Sequence, residues 1–194
     1  MNHKPYWEAG MSYSEYRELI DSLLANGKTT GSDHSDGMIN YTLMNVKRMQ
    51  RWDKTLRLAE EIKEDLKQMQ HQENWLVITE AWCGDAAQIV PVLAKVAEQS
   101  ENIALRLILR DEYPDLMDAY LTNGVSKSIP ILVRMDADFA PIGKWGPRPA
   151  TAQRMVMDAK EQGTDPKEAK EALHLWYARN RAEEIQEEIL EMIR

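Results

Sequence analysis

The chain has 194 residues, enough for one well-buried core with appended segments rather than two full domains. Its net charge of -8 argues against a nucleic-acid backbone or an anionic membrane surface as the main partner, because both attract basic patches. A single cysteine excludes an internal disulfide framework, and no apolar run suited to export opens the sequence, so we expect a cytoplasmic protein.

The first third of the chain carries helical patterns. Ser12 and Glu15 form the signature of a capping box, and the apolar spacing that follows predicts a helix over 12–25. Residues 27–37 are rich in Gly, Ser, Thr and Asp and predict a solvated loop. Over 40–70, apolar residues recur every three or four positions, which predicts one long amphipathic helix.

The next ninety residues alternate between strand and helix patterns in the order βαβαββα. The predicted strands span 75–79, 103–109, 130–135 and 141–145, and the predicted helices span 85–99, 114–121 and 151–162. Since a helix joins the first two strands, we expect them to be parallel, and the last two are close enough to form an antiparallel hairpin. The fold class is therefore α/β, with a mixed four-stranded sheet flanked by helices.

The end of the chain is predicted to be one charged helix. Asp165 supplies an N-cap, Pro166 suits the first helical position and Glu168 places a carboxylate in the first turn. We divide the chain into an N-terminal helical extension (1–72), an α/β domain (73–163) and a C-terminal helix packed on that domain (164–194). The amphipathic end helices also permit a homodimer.

The only cysteine, Cys83, directly follows the first predicted strand and precedes a predicted helix. A helix start presents unpaired N–H groups and the positive end of the helix dipole, which favour a thiolate. Asp85 repels a neighbouring thiolate, so the direction of the net pKa shift stays open. An isolated intracellular cysteine is more often a small buried hydrophobe, but this position favours a reactive thiol.

The segment from about Asn74 to Gly163 contains four features in chain order: Trp82-Cys83-Gly84 after the first strand, Pro91 eight residues beyond the cysteine, Ile129-Pro130 before the third strand, and Gly146 after the fourth. Together these features resemble the thioredoxin superfamily. The resemblance implies a thioredoxin-like fold with a proline-kinked helix after the cysteine. It also implies a cis bond at Ile129-Pro130, beside the reactive sulfur.

Two positions depart from the dithiol members of that superfamily. Ala86 stands where they have the second cysteine, and Val77 stands where they keep a buried aspartate that moves the proton for it. The two losses agree with each other, because the proton-transfer group has no use without the resolving thiol. Resolution of a mixed disulfide would need an external thiol.

The resemblance implies thiol-disulfide exchange with Cys83 as the catalytic residue and no cofactor. The implied substrate contacts are Trp82, Gly84, Asp85, Ile129 and Pro130, although Trp82 could equally be ordinary core. The implied partner is a protein disulfide or a low-molecular-weight thiol. The alternative is a non-catalytic thioredoxin-fold binding or scaffold module, which the two departures and the added helices favour.

Two further residues have two readings each. Glu80 is a candidate general base, although a solvated carboxylate at a strand end is the commoner case. Arg148 either meets an anionic ligand such as the carboxylates of glutathione or is an exposed arginine at a helix lead-in. The four histidines show no paired metal-ligand spacing, so no metal is predicted.

Overall fold

A computed structural model describes all 194 residues. The helices are α1 (Lys4–Ala9), α2 (Tyr13–Ala25), α3 (Asp36–Thr55), α4 (Glu60–Gln68), α5 (Ala86–Ala97), α6 (Pro114–Ala119), α7 (Ala150–Glu161), α8 (Pro166–Asn180) and α9 (Glu183–Ile193). The strands are β1 (Glu73–Thr79), β2 (Ile103–Leu109), β3 (Ile131–Met135) and β4 (Pro141–Trp145). None of the helices combines the length and the hydropathy that crossing a bilayer requires.

The four strands form one mixed sheet in the order β2-β1-β3-β4. β1 pairs in parallel with β2 and antiparallel with β3, and β3 pairs antiparallel with β4. β1 is an inner strand, and its run Trp75–Thr79 is buried throughout, as expected of a strand covered on both faces. The predicted α/β class and the mixed four-stranded sheet are confirmed.

Helices cover both faces of the sheet, and alternate side chains of β1 separate the two cores. Trp75 and Val77 face the larger core, which α2, α3, α4, α5, α8 and α9 complete. Leu76 and Ile78 face a smaller core with α6. The N-terminal helices and the C-terminal helices thus share the core of the sheet domain.

The predicted single helix over 40–70 is wrong, because the chain is extended between α3 and α4. Leu56 and Leu58 are both buried there, at 5% and 6% exposure. The backbone N–H of Ala59 donates to the side-chain Oε1 of Gln186 at 2.8 Å instead of continuing a helix. A contact with a distant part of the chain therefore interrupts the helical pattern.

The predicted single C-terminal helix is two helices. Asp165 does cap α8, accepting hydrogen bonds from the N–H groups of Lys167 and Glu168. The helix ends at Arg181 and Ala182, which both have positive φ. This break turns the chain back, so that α9 packs on α4 and α5 while α8 packs on α7.

The carboxylate of Glu73 anchors the start of β1 to β3. It accepts hydrogen bonds from the Arg134 guanidinium (Nε, 2.7 Å) and the Trp75 indole (2.7 Å), and it is hydrogen-bonded to His71 (2.9 Å). The side chain of Glu73 has no exposure to solvent. Burial acts to raise its pKa, but the hydrogen bonds and the Arg134 charge outweigh burial and hold the pKa of Glu73 below its usual range.

Replacing Glu73 by glutamine should lower the free energy of unfolding by about 3–5 kcal/mol at pH 7, because Arg134 keeps a buried charge without a carboxylate. Urea denaturation measures the loss. Since the folded pKa of Glu73 is lowered, its contribution is complete above the unfolded value of about 4.3 and disappears as the pH falls through the folded pKa.

The matched control is Glu98→Gln, which removes an exposed ion pair with Lys95 and should cost less than about 1 kcal/mol. Equal losses in the two variants, or a loss at Glu73 that does not shrink in acid, would contradict this account of the buried pair.

Candidate functional site

Cys83 lies between the end of β1 and the first turn of α5, beside the loop that precedes β3. Its Sγ–H donates to the carbonyl of Ile129 at 3.3 Å, and the backbone N–H of Ala86 donates to Sγ at 3.5 Å. The Ile129-Pro130 bond is cis, as the resemblance implied. Cys83 is half-buried. The structure therefore places the sulfur against the cis-proline loop and at a helix start.

The electrostatic surroundings of Cys83 favour the thiol over the thiolate. Burial, and then the Asp85 carboxylate, raise the pKa of Cys83 to about 12. The N–H groups of Ala86 and Asp85 and the guanidinium of Arg148 oppose this shift but are weaker. The helix start therefore does not decide the charge state, and Cys83 is protonated at neutral pH.

The Asp85 carboxylate is buried in an ion pair. Arg148 contacts its Oδ2 at 2.7 Å, and the Tyr177 hydroxyl donates to its Oδ1 at 2.9 Å. Arg148 also donates to the side chain of Gln153 at 3.0 Å and is half-buried, so it is not the exposed arginine of a helix lead-in. These contacts attach the segment 80–85 between β1 and α5, here called the Cys83 loop, to the start of α7 and to α8.

The N-terminal segment holds the peptide groups of Ala81, two residues before Cys83. The N–H of Ala81 donates to Oγ1 of Thr30 at 2.9 Å, and its carbonyl accepts from Nδ2 of Asn45 at 2.8 Å. Thr29 and Thr30 are buried, so the expectation of a fully solvated loop over 27–37 is wrong at these two residues. Nothing in the spacing of the sequence indicated either contact.

Glu80 is fully buried, so the expectation of a solvated strand-end carboxylate is wrong. Its Oε1 accepts from the N–H of Asp111 at 2.9 Å, and its Oε2 has no partner. Burial raises the pKa of Glu80, with a smaller contribution from repulsion by Asp111, and outweighs the opposing hydrogen bonds and the Arg110 charge. The Glu80 carboxylate forms no hydrogen bond with Sγ of Cys83. The backbone carbonyl of Glu80 accepts from the N–H of Cys83 at 3.2 Å.

A pocket of about 780 Å³ opens over Cys83. Its walls come from α3, α7 and α8, and its lining includes four of the six predicted site residues, Trp82, Cys83, Gly84 and Asp85. Ile129 and Pro130 lie outside this lining, although the Ile129 carbonyl contacts the sulfur. The ring of Trp82 lies under the guanidinium of Arg110, 4.7 Å from it.

His174 of α8 packs directly on Gly84. A Cβ atom at position 84 would lie 2.8 Å from Cε1 of His174, so a larger residue there would require the His174 ring to shift. Burial, then the charges of Arg48 and Lys170, lower the pKa of His174 to about 4, so the ring is neutral at physiological pH. Sequence reasoning missed His174 and Arg48, because neither lies near Cys83 along the chain.

A sequence profile described as thioredoxin matches residues 31–162. The chain belongs to the thioredoxin family. The match begins well before Asn74, so within this thioredoxin-family chain α3 and α4 belong to the matched region, whereas α8 and α9 lie outside it.

Two solved structures share the fold of this thioredoxin-family chain. A protein of unknown function from Pseudomonas aeruginosa is 19% identical, with a TM-score of 0.56 over 94% of this chain and 97% of that chain. An HIV epitope-scaffold is 18% identical, with a TM-score of 0.55 over 94% of this chain and 98% of that one. Identities this low show the fold alone. No curated protein matches the sequence significantly.

Removing the charge of Asp85 should lower the pKa of Cys83. At pH 8 the alkylation of native Asp85→Asn by iodoacetamide should be about tenfold faster or more than that of the wild type, since each pKa unit changes the thiolate fraction about tenfold. The wild-type rate should still be rising at pH 10.

Two control variants distinguish the loss of the Asp85 charge from a loosening of the packing around Cys83. Tyr177→Phe removes a hydrogen bond from the same carboxylate but keeps its charge, and Asp21→Asn removes an exposed carboxylate on α2. Both should alkylate at about the wild-type rate. Acceleration in Tyr177→Phe equal to that in Asp85→Asn would show that Cys83 becomes more exposed to the reagent and that its pKa is not the cause.

Proposed function

We propose that this protein exchanges thiol and disulfide groups between Cys83 and a small-molecule disulfide, and that an external thiol completes the cycle. The observation that carries the proposal is the position of the chain's only sulfhydryl group. It lines a pocket of ligand size and lies within hydrogen-bond distance of the carbonyl before a cis-proline.

The proposed exchange has two balanced steps. The Cys83 thiolate attacks one sulfur of a disulfide, an S–S bond forms at Cys83, and the other sulfur leaves as a thiolate that takes up a proton. An external thiolate then attacks the small-molecule sulfur of the mixed disulfide, forms a new small disulfide and returns the electrons to Cys83. No net oxidation of the protein occurs.

The second thiol must come from outside the chain. Ala86, one helical turn after Cys83, has only a methyl group where a dithiol protein would have its resolving thiol, and it is 2% exposed. Val77 is likewise fully buried in β1 and offers no group to move a proton. A mixed disulfide at Cys83 therefore has no attacker within the protein.

The pocket favours a small molecule over the disulfide of a folded protein. Side chains of α3 and α8 line the pocket together with Cys83, and Nζ of Lys170 on α8 lies 4.2 Å from the ring centroid of Tyr41 on α3. The volume of about 780 Å³ lies in the range of small-molecule sites. A loop of a protein substrate would have to enter between these two helices to reach the sulfur.

The raised pKa sets the expected speed of the first step. A thiolate with a higher pKa is more nucleophilic, but this gain recovers only part of the loss in thiolate fraction. Relative to a thiol of ordinary pKa, exchange at neutral pH should be slower by roughly one to two orders of magnitude.

The same pKa favours a second candidate function, a binding module without turnover. A protonated thiol that donates to the Ile129 carbonyl would then be a polar part of the pocket wall rather than a nucleophile. The two functions differ in one measurable property, the reaction of the native thiol with a disulfide.

Incubation of the native protein with bis(2-hydroxyethyl) disulfide should add one mercaptoethanol group at Cys83, seen by intact mass, and the adduct should persist until an external thiol is added. A thiol that reacts only after denaturation would overturn the proposal and leave the binding module.

Introducing a second thiol at position 86 should make the adduct short-lived. In Ala86→Cys the new thiolate attacks the mixed disulfide, so the mercaptoethanol leaves and a disulfide forms within the chain. Ala178→Cys, an exposed position on α8, supplies a thiol away from the pocket and should leave the Cys83 adduct in place. Equal lifetimes in the two variants would contradict the role assigned to Ala86.

A further inference from the structure

The pocket over Cys83 has a positive charge, although the chain as a whole carries -8. Its lining includes four basic side chains, Arg48, Arg148, Lys160 and Lys170, and one carboxylate, that of Asp85. Arg148 neutralises Asp85. The other three basic groups form no salt bridge with any carboxylate of the chain. The pocket therefore holds cationic charge that the protein itself does not compensate.

Arg48 is the half-buried member of this group. Its Nη1 donates to Oδ1 of Asn45 at 2.7 Å, and Asn45 in turn binds the carbonyl of Ala81. These contacts orient the guanidinium toward the Cys83 loop, where Nη1 lies 3.5 Å from the point at which a Cβ of Gly84 would stand. Nη2 and Nε have no protein acceptor. Burial, and then the Arg51 charge, lower the pKa of Arg48, against a weaker opposing effect of the Asp85 carboxylate.

Lys170 and His174 lie one helical turn apart on α8 and line the same pocket as Arg48. Nζ of Lys170 lies 4.2 Å from the ring centroid of Tyr41 on α3. His174 is neutral, and its buried Nδ1 has no hydrogen-bond partner. Because His174 touches Gly84, these groups stand next to the residue that carries the thiol.

A carboxylate group on a ligand would suit the positive charge of this pocket. It would accept hydrogen bonds from the free nitrogens of Arg48 and compensate the charges of Arg48 and Lys170, which have no carboxylate partner in the chain. A neutral ligand would leave both charges unpaired, and a cationic ligand would add a third positive charge to them.

We propose that Arg48, Lys170 and His174 form a carboxylate subsite beside Cys83, so that the disulfide the protein accepts is an anionic molecule of low mass. The reaction part of this proposal rests on the proposed function, whereas the binding part does not. The subsite lies on α3 and α8, so helices outside the sheet select the substrate by its charge.

Three disulfides of similar size test the charge preference. They are the dianion 3,3′-dithiodipropionate, the neutral bis(2-hydroxyethyl) disulfide and the dication cystamine. At low salt the rate of adduct formation at Cys83 should fall in that order. Arg48→Gln should lower the ratio of the dianion's rate to the neutral rate about tenfold. Arg179→Gln, which removes an exposed charge on α8 outside the pocket, should leave this ratio unchanged.

A calorimetric titration separates binding from reaction. Cys83→Ser contains no thiol, since Cys83 is the only cysteine, so 3,3′-dithiodipropionate can bind it but cannot react. Binding should be measurable in Cys83→Ser and at least tenfold weaker when Arg48→Gln is added.

The outcomes distinguish the two proposals. Binding without any reaction of the wild type would sink the exchange function and keep the subsite. Equal rates for the three disulfides, together with no binding to Cys83→Ser, would overturn the subsite and leave the exchange function standing.

Discussion

The buried carboxylate of Asp85 is the constraint on which the site depends. A buried charge is costly unless it is paired, and the pairing here comes from Arg148 before α7 and Tyr177 on α8. Satisfying this one group therefore ties α8 and the segment before α7 to the Cys83 loop, and both contribute to the wall of the pocket. The same charge repels a thiolate, so the interaction that assembles the site also keeps Cys83 protonated.

The helices packed around the sheet enclose the Cys83 loop and the start of α5. α3 holds the Ala81 peptide from one side and α8 packs on Gly84 from the other, so the start of α5 becomes the floor of a pocket. Uncompensated cations line that pocket within an acidic chain. Thiol position, pocket volume and local charge together support selection of a small anion.

Much of the fold follows from local pattern. The apolar run of β1, the capping box at Ser12 and the N-cap at Asp165 are formed as expected. The breaks at Ala59 and at Ala182 were not predictable, because the Ala59 N–H donates to the distant Gln186 and because the left-handed turn at Arg181 and Ala182 buries Ala182 in the core. Glu80 was misjudged for the same reason, since only packing shows that a polar residue is buried.

The sequence by itself determined the family, the sheet, the single thiol at a helix start and the lack of an internal resolving thiol. Only the tertiary structure decided the sign of the Cys83 pKa shift, the pairing of Arg148 and the presence of Arg48 and His174 beside the sulfur. Hydrophobic periodicity and capping act over a few neighbouring residues, so sequence displays them. Desolvation and charge interactions depend on distances in space between residues far apart in the chain, and the fold alone sets those distances.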